Sequence, residues 1–346
     1  MTTERVAVPH VDLVWKAAPL PDYVTALAWS PGGDLLAAAT SDGAVTVLDG
    51  ATSEVRLSLP GHAGGALCVA FSADGRLLAS GGQDGQARLW DPATGAPRGV
   101  LEGGGGWVEH LAWSPVADVL ATTAGKTLRR WSAAGELQRS FPAHPSTLTG
   151  VAWLASRFSG REELAASHYG GVTLWGAGAE AVRRYEWKGS MVSLVVSPDR
   201  KHVACGCQDR SVHVWIAASG EDMQMSGYAV KPRELSWDAR GRFLATGGGD
   251  DPTVWDFSGK GPQGTRPKVC VGLEARVADL AFHPTSTVLA AGALDGEVML
   301  WDVTKPRRPR GGGTLGEEVS RLAWRPQGDL LAVAGAAGKV VAVRPR

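Results

Sequence analysis

A short apolar motif recurs along the chain at a nearly constant spacing. It reads LAWSP at Leu27, VAFSA at Val69 and LAWRP at Leu322, and its eight copies share one phase. The third residues of these copies, 40 to 45 positions apart, are Trp29, Phe71, Trp113, Trp153, Val196, Trp237, Phe282 and Trp324. Self-similarity at a fixed period of this length is the signature of a repeat architecture. The period therefore decides the fold class.

Each repeat contains four short strand-like runs separated by turn residues. In the second repeat, the motif is followed by the turn Ala73-Asp74-Gly75 and by a run from Leu77 to Ser80. The hairpin Asp84-Gly85 comes next, a dipeptide that favours two-residue loops because both positions tolerate positive φ. A third run ends at Trp90, and a more variable fourth run closes the unit. Four antiparallel strands per repeat predict one propeller blade and an all-β fold.

Counting the strands predicts how the ring closes. Eight copies of the first three strands are present, but only three residues follow Val343, too few for a last fourth strand. Residues 11–16 precede the first repeat, and their alternation of apolar and polar side chains is sufficient for an edge strand. We predict eight four-stranded blades, with 11–16 completing the last one and removing the open edges. The alternative is seven blades with a degenerate eighth unit packed outside the ring.

The repeats predict one domain over residues 1–346. The units are expected to begin near residues 24, 66, 108, 148, 191, 232, 277 and 319. With 44% hydrophobic and 20% charged residues, the chain can bury a sizeable core, which argues against disorder. Four cysteines are too few for a disulfide scaffold and indicate a reducing compartment, so we expect a cytoplasmic protein. The glycine and arginine bias is typical of a GC-rich bacterial genome.

Charge and apolar patterning exclude several partner classes. Thirty-five basic and 35 acidic residues give zero formal net charge, which argues against nucleic acid as a partner. No run of about 18 apolar residues occurs, so no membrane association is expected. No nucleophile–base pair, paired acids or phosphate-binding loop emerges from the repeat register, so we expect no enzyme activity and no cofactor.

Several dipeptides resemble those of the WD-repeat (WD40) family of β-propellers. They are Trp90-Asp91, Trp255-Asp256, Trp301-Asp302 and Gly61-His62, and the resemblance extends from Val24 to Val343. In that family, four side chains form a hydrogen-bonded chain that stabilises a blade. The resemblance implies this structural role for His62, Ser80, Asp84 and Trp90. Other repeats depart from the pattern, such as the third with Gly125-Lys126 at its hairpin.

The resemblance also implies where a partner would bind. In the family, the first strand of each blade lines a central channel, and the residue before that strand lies at the channel mouth. These lead-in residues are Tyr23, Gly65, Trp107, Thr147, Ser190, Lys231, Arg276 and Glu318. Tyr, Trp and Arg are the types that most often carry binding energy at interfaces. The partner-binding residues we predict are Tyr23, Trp107, Lys231, Arg233, Arg276, Glu318 and Arg321.

The resulting prediction is a non-catalytic scaffold, monomeric by itself, that presents one propeller face to a protein or peptide. The alternative is a propeller that binds a metal or small ligand through His168, Cys205 and Cys207, since Cys and His suit zinc or copper. Buried cysteines more often pack as small hydrophobes, so the favoured prediction includes no metal site. The basic run 305–310, in the connection leaving the seventh unit, is interpreted as a solvated loop.

Overall fold

The computed structural model describes residues 10–155, 162–178, 180–259 and 261–345. These residues form β-strands joined by turns and include no helix with the length and apolar character to span a bilayer. The strands make eight antiparallel sheets, numbered here as blades 1 to 8 in chain order, with strands a to d in each. The prediction of an all-β propeller with eight blades, not seven, is confirmed.

The first four blades follow one another without interruption along the chain. Blade 1 comprises Val24–Trp29, Leu35–Thr40, Val45–Asp49 and Val55–Leu59. Blade 2 comprises Ala66–Phe71, Leu78–Gly82, Gln86–Trp90 and Pro97–Glu102. Blade 3 comprises Val108–Trp113, Val119–Ala124, Thr127–Ser132 and Leu137–Ser140. Blade 4 comprises Gly150–Ala155, Glu162–Trp175 and Ala181–Ser190.

The last four blades continue this order, and the last one takes its outer strand from the beginning of the chain. Blade 5 comprises Val195–Val196, His202–Gly206, Val212–Ile216 and Asp222–Met225. Blade 6 comprises Leu235–Trp237, Phe243–Thr246, Thr253–Asp256 and Lys268–Val269. Blade 7 comprises Val277–Phe282, Val288–Ala293, Glu297–Asp302 and Gly311–Thr314. Blade 8 comprises Val319–Trp324, Leu331–Gly335, Val340–Arg344 and Asp12–Lys16.

In blade 4, one continuous extended segment supplies both strand b and strand c. Residues 162–167 pair with strand a, whereas residues 169–175 pair with strand d. The chain turns between the two halves at Gly170 and Gly171, whose φ values are 97° and 128°. A Cβ atom on Gly171 would lie 1.9 Å from the carbonyl oxygen of Tyr185, so only glycine fits there.

The N-terminal strand closes the ring. Asp12–Lys16 pairs antiparallel with Val340–Arg344, with Leu13 opposite Val343 and Lys16 opposite Val341. This confirms the prediction for residues 11–16. The a strands of successive blades contact one another in a complete circle, including those of blades 8 and 1. Closure leaves no unpaired sheet edge at the point where the two ends of the chain meet.

The core is divided among the interfaces between neighbouring blades. The described residues form eight hydrophobic clusters, and each joins one pair of adjacent blades. A closed ring of eight blades has eight such interfaces, whereas an open array would have seven. Strand b of blade 1 is almost entirely buried, but its strand d is largely exposed. This difference explains why the fourth run of each repeat is the most variable in sequence.

The recurring tryptophan of the motif links four of the blades to the blade before them. Its indole Nε1 donates to a carbonyl oxygen in strand a of the preceding blade at 2.9 to 3.2 Å in four cases. These are Trp29 to Ala323, Trp113 to Ala70, Trp153 to Ala112 and Trp324 to Ala281. The bond from Trp29 joins blade 1 to blade 8 and so belongs to the ring closure.

The basic run 305–310 lies between strands c and d of blade 7, not in the connection that leaves this blade. The sequence placed it wrongly because Gly311–Thr314, which forms strand d, contains three glycines and gives almost no strand signal. In an antiparallel blade, c–d connections lie at the opposite end from b–c hairpins. The basic run therefore lies on the face of the ring away from the lead-in residues.

Candidate functional site

A repeated backbone hydrogen bond fixes most of the lead-in residues on one face of the ring. In five blades, the carbonyl oxygen of the lead-in residue accepts a bond of 2.9 to 3.0 Å from the N–H of the residue that follows strand b. The pairs are Tyr23 with Ser41, Gly65 with Gln83, Ser190 with Gln208, Arg276 with Leu294, and Glu318 with Ala336. We call this end of the ring, formed by lead-in residues and b–c hairpins, the mouth face.

Six of the seven predicted partner-binding residues line one cavity on the mouth face. This mouth cavity has a volume of about 690 Å³ and is built by blades 6, 7, 8 and 1 in ring order. The six residues are Tyr23, Lys231, Arg233, Arg276, Glu318 and Arg321. Consecutive blades bring them together because each blade contributes the same end of its strand a. A cavity of this size is typical of ligand-binding sites.

Trp107 is the predicted residue that the mouth cavity does not include. It precedes strand a of blade 3, which is four blades away from blade 7 in either direction around the ring. Its side chain is 52% exposed. The glycine run before it takes positive φ at Gly104, Gly105 and Gly106. Trp107 therefore lies on the mouth face but across the ring from the cavity.

Two half-buried acids, Glu234 and Asp279, line the mouth cavity and were not among the residues predicted from the sequence. Burial raises the pKa of Glu234 to about 7, and the nearby Asp279 adds to this effect. Burial also raises the pKa of Asp279, although Arg321 opposes the shift. The Asp279 carboxylate accepts backbone N–H bonds from Leu280 at 2.9 Å and from Leu322 at 2.8 Å. Asp279 thereby connects strand a of blade 7 to strand a of blade 8.

The sequence did contain a signal for these charges. Glu234, Asp279 and Arg321 each stand immediately before the leucine that begins the motif, in three consecutive repeats. A charged residue at this register lies at the start of strand a, so charges from neighbouring blades converge. Reading only the lead-in position overlooked the two acids, because they follow that position by three residues.

Blade 2 contains a four-residue hydrogen-bonded chain. His62 Nδ1 lies 3.0 Å from Asp84 Oδ1, and His62 Nε2 lies 2.8 Å from Ser80 Oγ. Trp90 Nε1 donates to the same Ser80 oxygen at 3.2 Å. Burial lowers the pKa of His62, so its ring is neutral at pH 7. Nδ1 then donates to Asp84 and Nε2 accepts from Ser80, which gives the four residues a structural role in joining three parts of the blade.

Blades 4 and 6 contain variants of this chain that the sequence reading missed. In blade 4, Trp175 Nε1 donates directly to His144 Nε2 at 3.0 Å. In blade 6, a tyrosine replaces the histidine, and Trp255 Nε1 donates to the Tyr228 hydroxyl at 2.8 Å. His144 and Tyr228 both lie seven residues before the motif, as His62 does, and this spacing was the available signal.

The structure does not bring His168, Cys205 and Cys207 together as a metal site. Both ring nitrogens of His168 are engaged, Nε2 at 2.9 Å from Thr173 Oγ1 and Nδ1 at 2.6 Å from the Tyr169 carbonyl oxygen. The two cysteines are fully buried in the apolar cluster between blades 4 and 5. Burial raises the pKa of Cys207 to about 12 and that of Cys205 well above its usual value, which keeps both thiols protonated. No group of three or more metal-ligating side chains occurs in the described ranges.

Comparison with known proteins identifies repeats of one family in part of the chain. The family model "WD domain, G-beta repeat" matches residues 17–49, 53–91, 182–215 and 267–302. The computationally designed Ika8 protein, known from a crystal structure, superposes on 96% of this chain and 99% of its own with a TM-score of 0.79 at 20% identity, which shows the fold alone. Four stretches of the chain thus match WD repeats, and its fold is an eight-bladed β-propeller.

Curated relatives share part of the chain. Cytoplasmic dynein 2 intermediate chain 2 of Mus musculus is 30% identical over 132 residues, covering 33% of this chain and 23% of the relative. Protein HIR1 of Cryptococcus neoformans is 29% identical over 171 residues, covering 42% of this chain and 19% of the relative. The Arabidopsis thaliana protein named "Cell division cycle 20.1, cofactor of APC complex" is 29% identical over 186 residues, covering 48% of this chain and 38% of the relative. The chain thus spans less than a quarter of the first two relatives, and all three are eukaryotic, so the bacterial source stays a prediction.

Proposed function

We propose that the chain is a non-catalytic scaffold that presents its mouth face to a protein or peptide partner. WD-repeat propellers are generally non-catalytic protein-interaction scaffolds, and one of the relatives is named as the cofactor of a complex. The observation that carries the proposal is the convergence of six predicted partner-binding residues in the mouth cavity. Tyrosine and arginine, both present there, are the types enriched at binding hot spots.

A folded protein partner and a short peptide would differ in whether they cover Trp107. A stable protein interface covers about 800 Å² on each side, enough to extend across the ring from the mouth cavity to the exposed Trp107. A peptide seated in the cavity alone would leave Trp107 uncovered. We therefore propose Trp107 as a second anchor for a folded partner, with Tyr23, Lys231 and Arg276 as the anchors in the cavity.

The test is affinity purification from the source cell with paired charge-reversal variants. Arg276→Glu changes the mouth cavity, and Arg308→Glu makes the same charge change in the c–d connection of the same blade, on the opposite face. Wild type and Arg308→Glu are expected to recover the same partners, and Arg276→Glu is expected to lose them while keeping the wild-type circular dichroism spectrum. Recovery of the same partners by Arg276→Glu would refute this choice of face.

We further propose a cytoplasmic location and a monomeric state. The four cysteines, Cys68, Cys205, Cys207 and Cys270, are free, as a reducing compartment allows. Light scattering after size-exclusion chromatography should give the mass of one chain, 36.1 kDa.

A further inference from the structure

The mouth cavity contains three cations that have no acidic partner at salt-bridge distance in the described part of the chain. They are Lys231 and Arg233 of blade 6 and Arg276 of blade 7. Arg233 and Arg276 are exposed, and Lys231 is half-buried. Four basic residues against three acids line this cavity, and an excess of cations favours a negatively charged ligand.

The acids of the same cavity do not neutralise these cations fully. The oxygens of Asp279 are engaged by the two backbone N–H groups described above, and Asp279 is adjacent to Arg321. Glu234 is half-buried, with its Oε2 near the position that a Cβ on Gly247 would take. Glu318 is the one exposed acid among the lining residues that the structure describes. Two exposed cations, Arg233 and Arg276, thus stand against one exposed acid, so positive charge predominates among the exposed charged side chains of the cavity.

The arginines, the volume and the acids of the cavity indicate which class of anion it would bind. The planar guanidinium group binds a carboxylate through two parallel hydrogen bonds, which a lysine cannot do. The volume of about 690 Å³ accommodates more than one side chain of an extended segment. Glu318, with the hairpin acids Asp42 and Asp295 on the same face, would repel a densely charged polyanion such as nucleic acid. Discrete carboxylates on a peptide can avoid these acids.

We propose that the mouth cavity binds an acidic peptide segment of the partner, with the guanidinium groups of Arg233 and Arg276 and the ammonium group of Lys231 contacting its carboxylates. This inference rests on the proposed function and adds the chemistry of the partner to it. Tyr23, at the blade 1 side of the cavity, contacts the adjacent apolar part of the segment.

Fluorescence anisotropy with two labelled peptides tests the proposal. One peptide alternates glutamate and glycine, and the other carries glutamine at every glutamate position. At low ionic strength, the glutamate peptide should bind at least about tenfold more tightly than the glutamine peptide, and raising the salt to about 150 mM should weaken it. Arg276→Glu should reduce the affinity by about tenfold or more, whereas the matched Arg308→Glu should change it by less than about twofold.

Three results would overturn the proposal. These are equal affinities for the two peptides, undiminished binding by Arg276→Glu, and tighter binding of an oligothymidine strand, which would assign the cavity to nucleic acid. Failure here is distinguishable from failure of the proposed function. If Arg276→Glu loses its cellular partners but the glutamate peptide does not bind, the face is right and the acidic chemistry is wrong. If the peptide binds but Arg276→Glu retains its cellular partners, the proposed partner-binding face is wrong instead.

Discussion

Trp15→Ala removes the side chain that attaches the N-terminal strand to the rest of the ring. Trp15 is only 7% exposed and belongs to the cluster between blades 8 and 1. Its indole Nε1 donates to the Gly50 carbonyl oxygen at 3.1 Å, and its ring lies 6.5 Å from that of Trp29. The substitution therefore affects both partners of the closing interface without deleting the strand.

The expected loss of stability follows from burial. Burial of a tryptophan side chain removes about 200 Å² of its surface from water. At ~25 cal/mol per Å², this burial stabilises the fold by about 5 kcal/mol. Alanine retains about 1 kcal/mol of this through its own methyl group. The net loss of about 4 kcal/mol agrees with the ~3–5 kcal/mol that is typical of buried Trp→Ala changes. Trp15→Phe, which keeps most of the packing but loses the hydrogen bond, should lie between wild type and alanine.

Guanidinium unfolding followed by circular dichroism and fluorescence measures the effect. Trp107→Ala is the matched control, since it removes the same side chain from a 52% exposed site and should change the free energy of unfolding by less than about 0.5 kcal/mol. Coincident transitions from the two probes would justify a two-state free energy. A loss below about 1 kcal/mol for Trp15→Ala would refute the closing role of the N-terminal strand.

Three further predictions concern the hydrogen-bonded chain of blade 2, the Glu234 carboxyl group and the cysteine thiols. Ser80→Ala leaves two buried ring nitrogens, His62 Nε2 and Trp90 Nε1, without their partner and should lower the free energy of unfolding by ~1–3 kcal/mol. Ser58→Ala, at an exposed site, is the control and should leave the free energy of unfolding unchanged. Equal effects of the two substitutions in urea unfolding would contradict the structural role of Ser80. Because the pKa of Glu234 is about 7, its carboxyl group is mostly neutral at pH 6 and mostly charged at pH 8. An acidic peptide should therefore bind the mouth cavity more tightly at pH 6. Glu234→Gln should reduce this pH dependence of the affinity. A pH profile unchanged by Glu234→Gln would count against this. Cys205, Cys207 and Cys270 are buried, and burial raises the pKa values of their thiols, so these three should react with Ellman's reagent at pH 8 only after unfolding. Rapid reaction of all four thiols in the native protein would contradict this burial.

The repeat period was sufficient to predict the ring, because the contacts that build it are local and repeated. Trp29, Trp113, Trp153 and Trp324 recur because each indole donates to a carbonyl oxygen of the preceding blade in the same way. Strand counting also predicted the role of residues 11–16, because a blade without its outer strand would leave an open edge. The exposed d strands, such as Gly311–Thr314, could not be placed with the same precision, since little packing constrains their sequences.

The mouth cavity could be predicted only in part. The lead-in positions gave Tyr23, Arg276 and Glu318, because position in the repeat fixes position on the ring. The partial burial of Glu234 and Asp279 depends on how neighbouring blades pack, which a single repeat does not show. Trp107 shares the lead-in position but not the cavity, because a cavity built by blades 6 to 1 cannot include a residue of blade 3.

Site-specific photo-crosslinking would test the central claim most directly. A benzophenone amino acid replaces Tyr23 in the mouth cavity or Val116 in the a–b connection of blade 3, which is 67% exposed on the opposite face. After irradiation in the source cell, the Tyr23 position should yield a crosslinked partner band, and the Val116 position should not. Crosslinks confined to the Val116 position would show that the partner binds the other face and would contradict the account.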